Sequence, residues 1–228
     1  MRKYPLALLA VYAAIWIALA IEPKHRDDWY LENILVAVFV PLLLLTYRRF
    51  PLSDVSYTLL FVFMVLHAIG AHWTYAEVPL IDWRALGFER NHFDRVVHLS
   101  FGLLLAYPVK EVFNRVATAK GFWGYYLPLD VTLAFSAVYE IVEWVVAELV
   151  SPGAGTAFLG SQGDPFDAVK DMALAGSGAA IAMLVTAGIN WRIQRDFTEE
   201  MRESLRVKDD RLGGEQAIRR LLDEKRGP

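Results

Sequence analysis

Apolar residues fall along this chain in six stretches, residues 4–21, 31–47, 57–78, 93–116, 124–150 and 166–190. Short polar connectors separate them: "EPKHRDDWY", "RRFPLSD", "PLIDWRALGFERNH", "ATAKGF" and "SPGAGTAFLGSQGD". Each stretch has about the ~20 residues that a helix needs to cross a ~30 Å hydrocarbon core. The pattern predicts an all-α, polytopic membrane bundle of six transmembrane helices over residues 1–190. A charged cytosolic helical tail follows over residues 191–228. The first stretch is preceded by "RK" and ends near "ALA", as a signal peptide would. Its apolar run exceeds an ordinary h-region and five spans follow it, so it reads as an anchor. "AGSGAA" in the sixth stretch is a small-residue face that permits close helix approach.

Composition sharpens this picture. The 228 residues are 55% apolar, and the net charge of −3 gives nucleic-acid binding no electrostatic support. With no cysteine, disulfides, thiolate metal sites and Cys nucleophiles are excluded. Lys and Arg set orientation. With the N-terminus inside, seven fall on the inner side and six on the outer; the ten of the tail raise the inner count to seventeen. Both termini are therefore expected in the cytosol. The tail, with ten bases and nine acids, reads as a solvated helix broken at Gly213–Gly214. Its Arg-rich start can meet anionic headgroups.

The acids are sorted differently. Of the seventeen ahead of Trp191, only Asp54, Glu111 and Asp130 fall on the inner side. Several of the rest sit inside predicted helices as same-face pairs. Asp94 and His98 are four apart at the outer start of the fourth span. Glu140 and Glu143 in "VYEIVEW" are three apart in the fifth, and Asp167 and Asp171 are four apart in the sixth. Glu32 with Asn33 opens the second span at the same level, and His67 and His72 close the third. Pro165 and Asp164 are expected at the first turn and N-cap of the sixth helix.

Ionisable groups within spans normally face the bundle interior and pair with one another. Asp94, His98, Glu140, Glu143, Asp167 and Asp171 are thus expected to converge in an outward-facing pocket. Arg95 and Lys170 are the bases expected at that depth, Arg95 neutralising a carboxylate or reaching headgroups. Unpaired carboxylates in low dielectric require cations or protons. A divalent metal answers this, with His98, Glu140, Glu143, Asp167 and Asp171 as candidate ligands. Imidazole and carboxylate without sulfur suit Zn²⁺, Fe²⁺ or Mn²⁺, and Mg²⁺ if imidazole stays out of the shell. Asp94, His98, Glu140 and Glu143 are then the candidate catalytic groups, with Glu32, His67, His72 and Arg95 in supporting positions. No Walker loop, dinucleotide fingerprint, HExxH or GxSxG occurs.

"DWYLEN", "FDRVVHLSFG", "YEIVEW" and "LGSQGDPFDAVKDM" together resemble the YjdF-like bacterial inner-membrane proteins, over about residues 25–185. The later half is also similar to the VanZ-like membrane proteins, with their Asp-Lys/Arg-x-x-His helix, Glu-bearing helix and acidic helix start. The stretch "DMALAGSG" departs from the Asn that VanZ-like proteins place before the final glycines. The first resemblance implies an integral inner-membrane protein and supplies no reaction; the second implies envelope substrates. Three functions fit: a metal-dependent enzyme on an envelope lipid or lipid-linked substrate, a proton- or cation-coupled binding or transport protein, and a structural membrane protein with a buried polar knot. Membrane lipid is the expected partner, and nucleic acid is not.

Overall fold

A computed structural model describes residues 2–150, 162–207 and 213–226, and all their regular structure is helical. Six longer helices run α1 Lys3–Leu19, α2 Arg26–Thr46, α3 Asp54–Trp73, α4 Phe93–Val116, α5 Trp123–Val150 and α6 Asp167–Ile193. Two short ones, α7 Phe197–Ser204 and α8 Gly213–Arg226, form the tail. A single 3₁₀ turn, Tyr75–Glu77, follows α3. Four helices, α2, α3, α4 and α6, are long and apolar enough to cross a membrane. Helix α1 has 17 residues. Helix α5 has 28 but carries Asp130, Glu140, Glu143 and Glu148.

Local chemistry explains the boundaries. The Ser53 hydroxyl accepts the Ser56 amide at 3.2 Å and caps α3. Asp27 and Asp28 sit in the first turn of α2, where negative charge suits the helix dipole. Helix α6 begins two residues later than its Pro165 suggests, with Phe166 at the N-cap position. Asp164 does not cap it. Its Oδ1 accepts the Phe166 amide at 3.1 Å in a local turn, because cations hold its other oxygen.

Helix α4 is the hub, packing most closely on α6 and also against α3 and α5. The α4–α6 seam is built of small residues. Ala106, Ala175 and Ala179 are wholly buried in it. A Cβ on Gly102 would stand 1.8 Å from the Ala175 carbonyl oxygen, and one on Gly178 2.2 Å from that of Leu99. Only glycine allows this approach of backbone to backbone. A second core of Tyr12, Val36, Phe63, Met64, Ala68, Val78, Phe93 and Val97 joins α1, α2, α3 and α4. The bundle's outside is apolar: Leu45, Leu149 and Leu184 are 81%, 80% and 72% exposed.

Polar contacts gather at the two ends. At one end the Arg2 amide donates to the Tyr47 hydroxyl at 2.7 Å and its guanidinium to the Leu52 carbonyl at 2.5 Å. Glu111 of α4 accepts the Ser53 amide and the Ser56 hydroxyl there. Helix α7 of the tail docks at this end, while the described side chains of α8 are exposed. Glu200 accepts the Gly121 amide at 2.8 Å, and the Ser204 hydroxyl accepts that of Phe122 at 2.9 Å. The expected break at Gly213–Gly214 is instead where α8 starts. The N-terminal segment and the start of the tail thus share one end of the bundle. The acidic pairs lie at the other.

Candidate functional site

Helices α4, α5 and α6 bring their acidic faces together. His98 Nε2 lies 3.5 Å from Asp94 Oδ1, one turn back on α4, and 3.5 Å from Glu140 Oε1 on α5. Asp171 of α6 closes the group. One ligand atom each from Asp94, His98 and Asp171 fit within 4.8 Å of one another. Bonds of about 2.0–2.2 Å put two ligands of one ion at most about 4.4 Å apart, so small side-chain rotations bring these three onto a common cation. The Asp94–His98–Asp171 group could therefore hold a metal ion. The side chains are shielded: Asp171 is 2% exposed. Two of the carboxylate oxygens, Glu140 Oε1 and Asp171 Oδ1, are buried without a hydrogen-bond partner among the described residues. Buried acceptors normally find donors, and an unsatisfied one asks for an explanation.

Glu143 lies one turn beyond Glu140 and shares hydrogen bonds with Glu140 and Tyr139. The Tyr139 hydroxyl also donates to Glu32 Oε2 at 3.0 Å, tying α2 to α5. His67 has both ring nitrogens engaged. Nε2 is 3.1 Å from the Glu32 carbonyl oxygen, which fixes it as donor, and Nδ1 then accepts the Tyr75 hydroxyl at 2.5 Å. His72 points elsewhere, its Nδ1 donating to the Leu19 carbonyl at 2.7 Å and binding the end of α1 to α3.

Asp167 belongs to an ionic layer one turn outward of Asp171. Its Oδ1 is 2.7 Å from Arg90 Nη1 and 3.5 Å from Arg95 Nη2. Asp164 Oδ2 takes Lys170 at 2.5 Å, Arg95 at 2.7 Å and Arg90 at 3.6 Å. The Lys170 ammonium, then the Phe166 amide, hold the Asp164 carboxyl down to about 2. Burial, and then the Arg95 and Arg90 guanidiniums, lower His92. A reciprocal pair clasps the layer: the Asn91 amide donates to Gln162 Oε1 at 3.1 Å, and Gln162 Nε2 donates to the Asn91 carbonyl at 2.9 Å.

Sequence reasoning placed Arg95 and Lys170 here but missed Arg90, Tyr139 and Tyr75. Arg90 precedes α4 in a loop, where helical spacing says nothing about direction. The tyrosines are polar only at the tip and read as core.

Comparison with known proteins agrees with the membrane character of these helices. Residues 4–192 match the family described as "Predicted membrane protein (DUF2238)". The chain is 36% identical over 197 residues to the inner membrane protein YjdF of Escherichia coli (strain K12), covering 84% of this chain and 90% of that one. No solved structure matches. With its apolar helices, its family match and this relative, the chain belongs to the DUF2238 family of membrane proteins.

Proposed function

We propose that this protein is a six-span inner-membrane protein that binds a divalent cation at Asp94, His98, Asp171 and Glu140 and uses it on an envelope lipid or lipid-linked substrate. The observation that carries the reading is the pair of buried carboxylate oxygens, Glu140 Oε1 and Asp171 Oδ1, without hydrogen-bond donors among the described residues, beside His98. A cation held by Asp94, His98 and Asp171 engages Asp171, draws in Glu140 by side-chain rotation, and removes the repulsion among the carboxylates. A cation in that position would polarise a phosphoryl or carbonyl oxygen and activate water. The span number rests on six helices alternating between two ends, with Arg2 and α7 at the same end. The excess of Lys and Arg in the tail supports placing that end in the cytosol, with the cation site facing outward.

Elemental analysis of purified protein tests this. Wild type should carry about one Zn, Fe or Mn per chain, and His98→Ala and Asp171→Asn should lose it while remaining inserted. Wild type free of metal, with a melting temperature indifferent to chelator, Zn²⁺ and Mn²⁺, would overturn it.

A second reading has an observation of its own. Glu32, Tyr139, Glu143 and Glu140 form a hydrogen-bonded chain that runs from α2 to Glu140, whose Oε1 stands 3.5 Å from His98. Such chains carry protons in transporters. Proton-coupled flux into liposomes, abolished by Tyr139→Phe, is the result that selects it over catalysis.

A further inference from the structure

The ionic layer above the cation site is built around one atom. Lys170 Nζ, Arg95 Nη2 and Arg90 Nη1 lie 2.5, 2.7 and 3.6 Å from Asp164 Oδ2. The other oxygen of that carboxylate is already engaged by the Phe166 amide. Two cationic donors therefore share a single carboxylate oxygen, with the Arg90 guanidinium, bound to Asp167, standing 3.6 Å from it. A carboxylate answers such a cradle poorly, whereas a phosphate offers three terminal oxygens spread over a tetrahedral face.

The depth fits as well. Trp83, Phe88 and His92 stack edge to face beside the layer, with ring centroids 4.7–6.1 Å apart. Aromatic groups of this kind sit at headgroup level. Lys170 is half exposed and Asp164 partly so, which leaves an approach from outside.

We propose that Arg90, Arg95 and Lys170 form a phosphate-binding site at the outer mouth, in which Asp164 is a resident anion that an incoming phosphate displaces. The phosphate is presented by a membrane lipid or arrives free in solution. The inference names the substrate class for the proposed function, and it rests on that reading only for the chemistry that follows binding. Asp167 and Asp171 are one turn apart, so a phosphate seated on Arg95 stands about one helical turn, roughly 5–6 Å, outward of the cation site. That is a distance a phosphoester linkage spans.

The test uses the full chain in dodecyl maltoside micelles, in phosphate-free buffer with EDTA, so that no metal recruits the phosphate. Inorganic phosphate and a short-chain phosphatidic acid are titrated separately, with melting temperature and calorimetric binding as readouts. Saturable binding of phosphatidic acid alone identifies a lipid headgroup; binding of inorganic phosphate as well identifies the free anion; either supports the site. Asp164→Asn should tighten binding about tenfold by releasing Lys170 and Arg95, and Arg95→Gln should weaken it at least tenfold. Lys170→Gln, at a more exposed position, retains the fold and should weaken binding several-fold. His98→Ala should bind phosphate like wild type, which separates failure of this site from failure of the cation site. Binding of neither probe, or equal affinities for wild type, Asp164→Asn and Lys170→Gln, would overturn the proposal.

Discussion

Gly102→Ala is the smallest change that should dismantle the site without touching it. A methyl at Gly102 would lie 1.8 Å from the Ala175 carbonyl oxygen and 2.7 Å from the Ala179 amide nitrogen, both backbone atoms that cannot rotate away. It is about 1.6 Å short of the 3.4 Å at which ordinary contact begins. Helices α4 and α6 must separate by roughly that amount. His98 lies one turn from Gly102, and Asp171 one turn from Ala175, so the displacement reaches the site nearly undiminished. Metal ligation tolerates about ±0.2 Å. The misfit exceeds this several-fold, and affinity for the proposed cation should fall at least about 100-fold. Overpacking should also cost about 1–3 kcal/mol, a drop of several degrees in melting temperature for a chain of this size. Gly188→Ala supplies the control. Nothing lies within 4 Å of its Cβ, and a helical alanine there should be neutral or gain up to about 1 kcal/mol. Both variants are purified in parallel and compared by thermal melt and metal content. A Gly102→Ala protein that melts with wild type and binds the proposed cation as tightly would refute the link between seam and site.

Other outcomes follow from single contacts. Glu143→Gln keeps the shape but takes away the carboxyl that shares a hydrogen bond with Glu140; the protein should stay folded and lose about 10–100-fold in metal affinity, read by competition with a chelator. Asp164 is lowered when folded, chiefly by Lys170, so its contribution is complete above its unfolded value near 4 and disappears as pH falls toward about 2. Thermal melts of wild type should therefore drop across that acid window, and Asp164→Asn should flatten this limb and run a constant amount below wild type from pH 5 to 8. Gly121 has φ +55°, and a Cβ there would meet the Glu200 carbonyl at 2.5 Å. Gly121→Ala should undock α7 and raise the rate of limited proteolysis between α6 and α8, with unchanged metal content.

The helices were legible because apolar runs of membrane length admit few alternatives, and the expected spans lie close to α1–α6. The acidic pairs were legible as faces, since residues three or four apart must point the same way. Neither rule says which faces meet. That is decided by the glycine and alanine seam between α4 and α6, of which sequence offered only "AGSGAA" on one partner. Asp164 shows the opposite limit. Local chemistry assigned it to a helix cap, whereas cations from a loop and two helices recruit its free oxygen. The docking of α7 was invisible for a similar reason, since it depends on backbone amides at Gly121 and Phe122 that no composition reveals. The VanZ-like order of motifs remains a resemblance of pattern.

Helix α5 carries a consequence for how the protein is made. Among the described helices of eighteen residues or more, it alone falls short of the apolarity for crossing a membrane, because of its four acids. A charge at mid-membrane costs about 3 kcal/mol on entering lipid from the insertion machinery. Left to itself, α5 should stall at that step. Glu140 meets His98 on α4, already synthesised, while α6, which packs against α5 and carries Asp171 beside that pair, has yet to emerge. In the six-span arrangement, α5 is expected to settle in lipid only once α6 is translated, the two packing together against α4. In chains truncated after Val150, a cysteine introduced in the fifth segment should react with a membrane-impermeant thiol reagent, and extension through Ile193 should protect it.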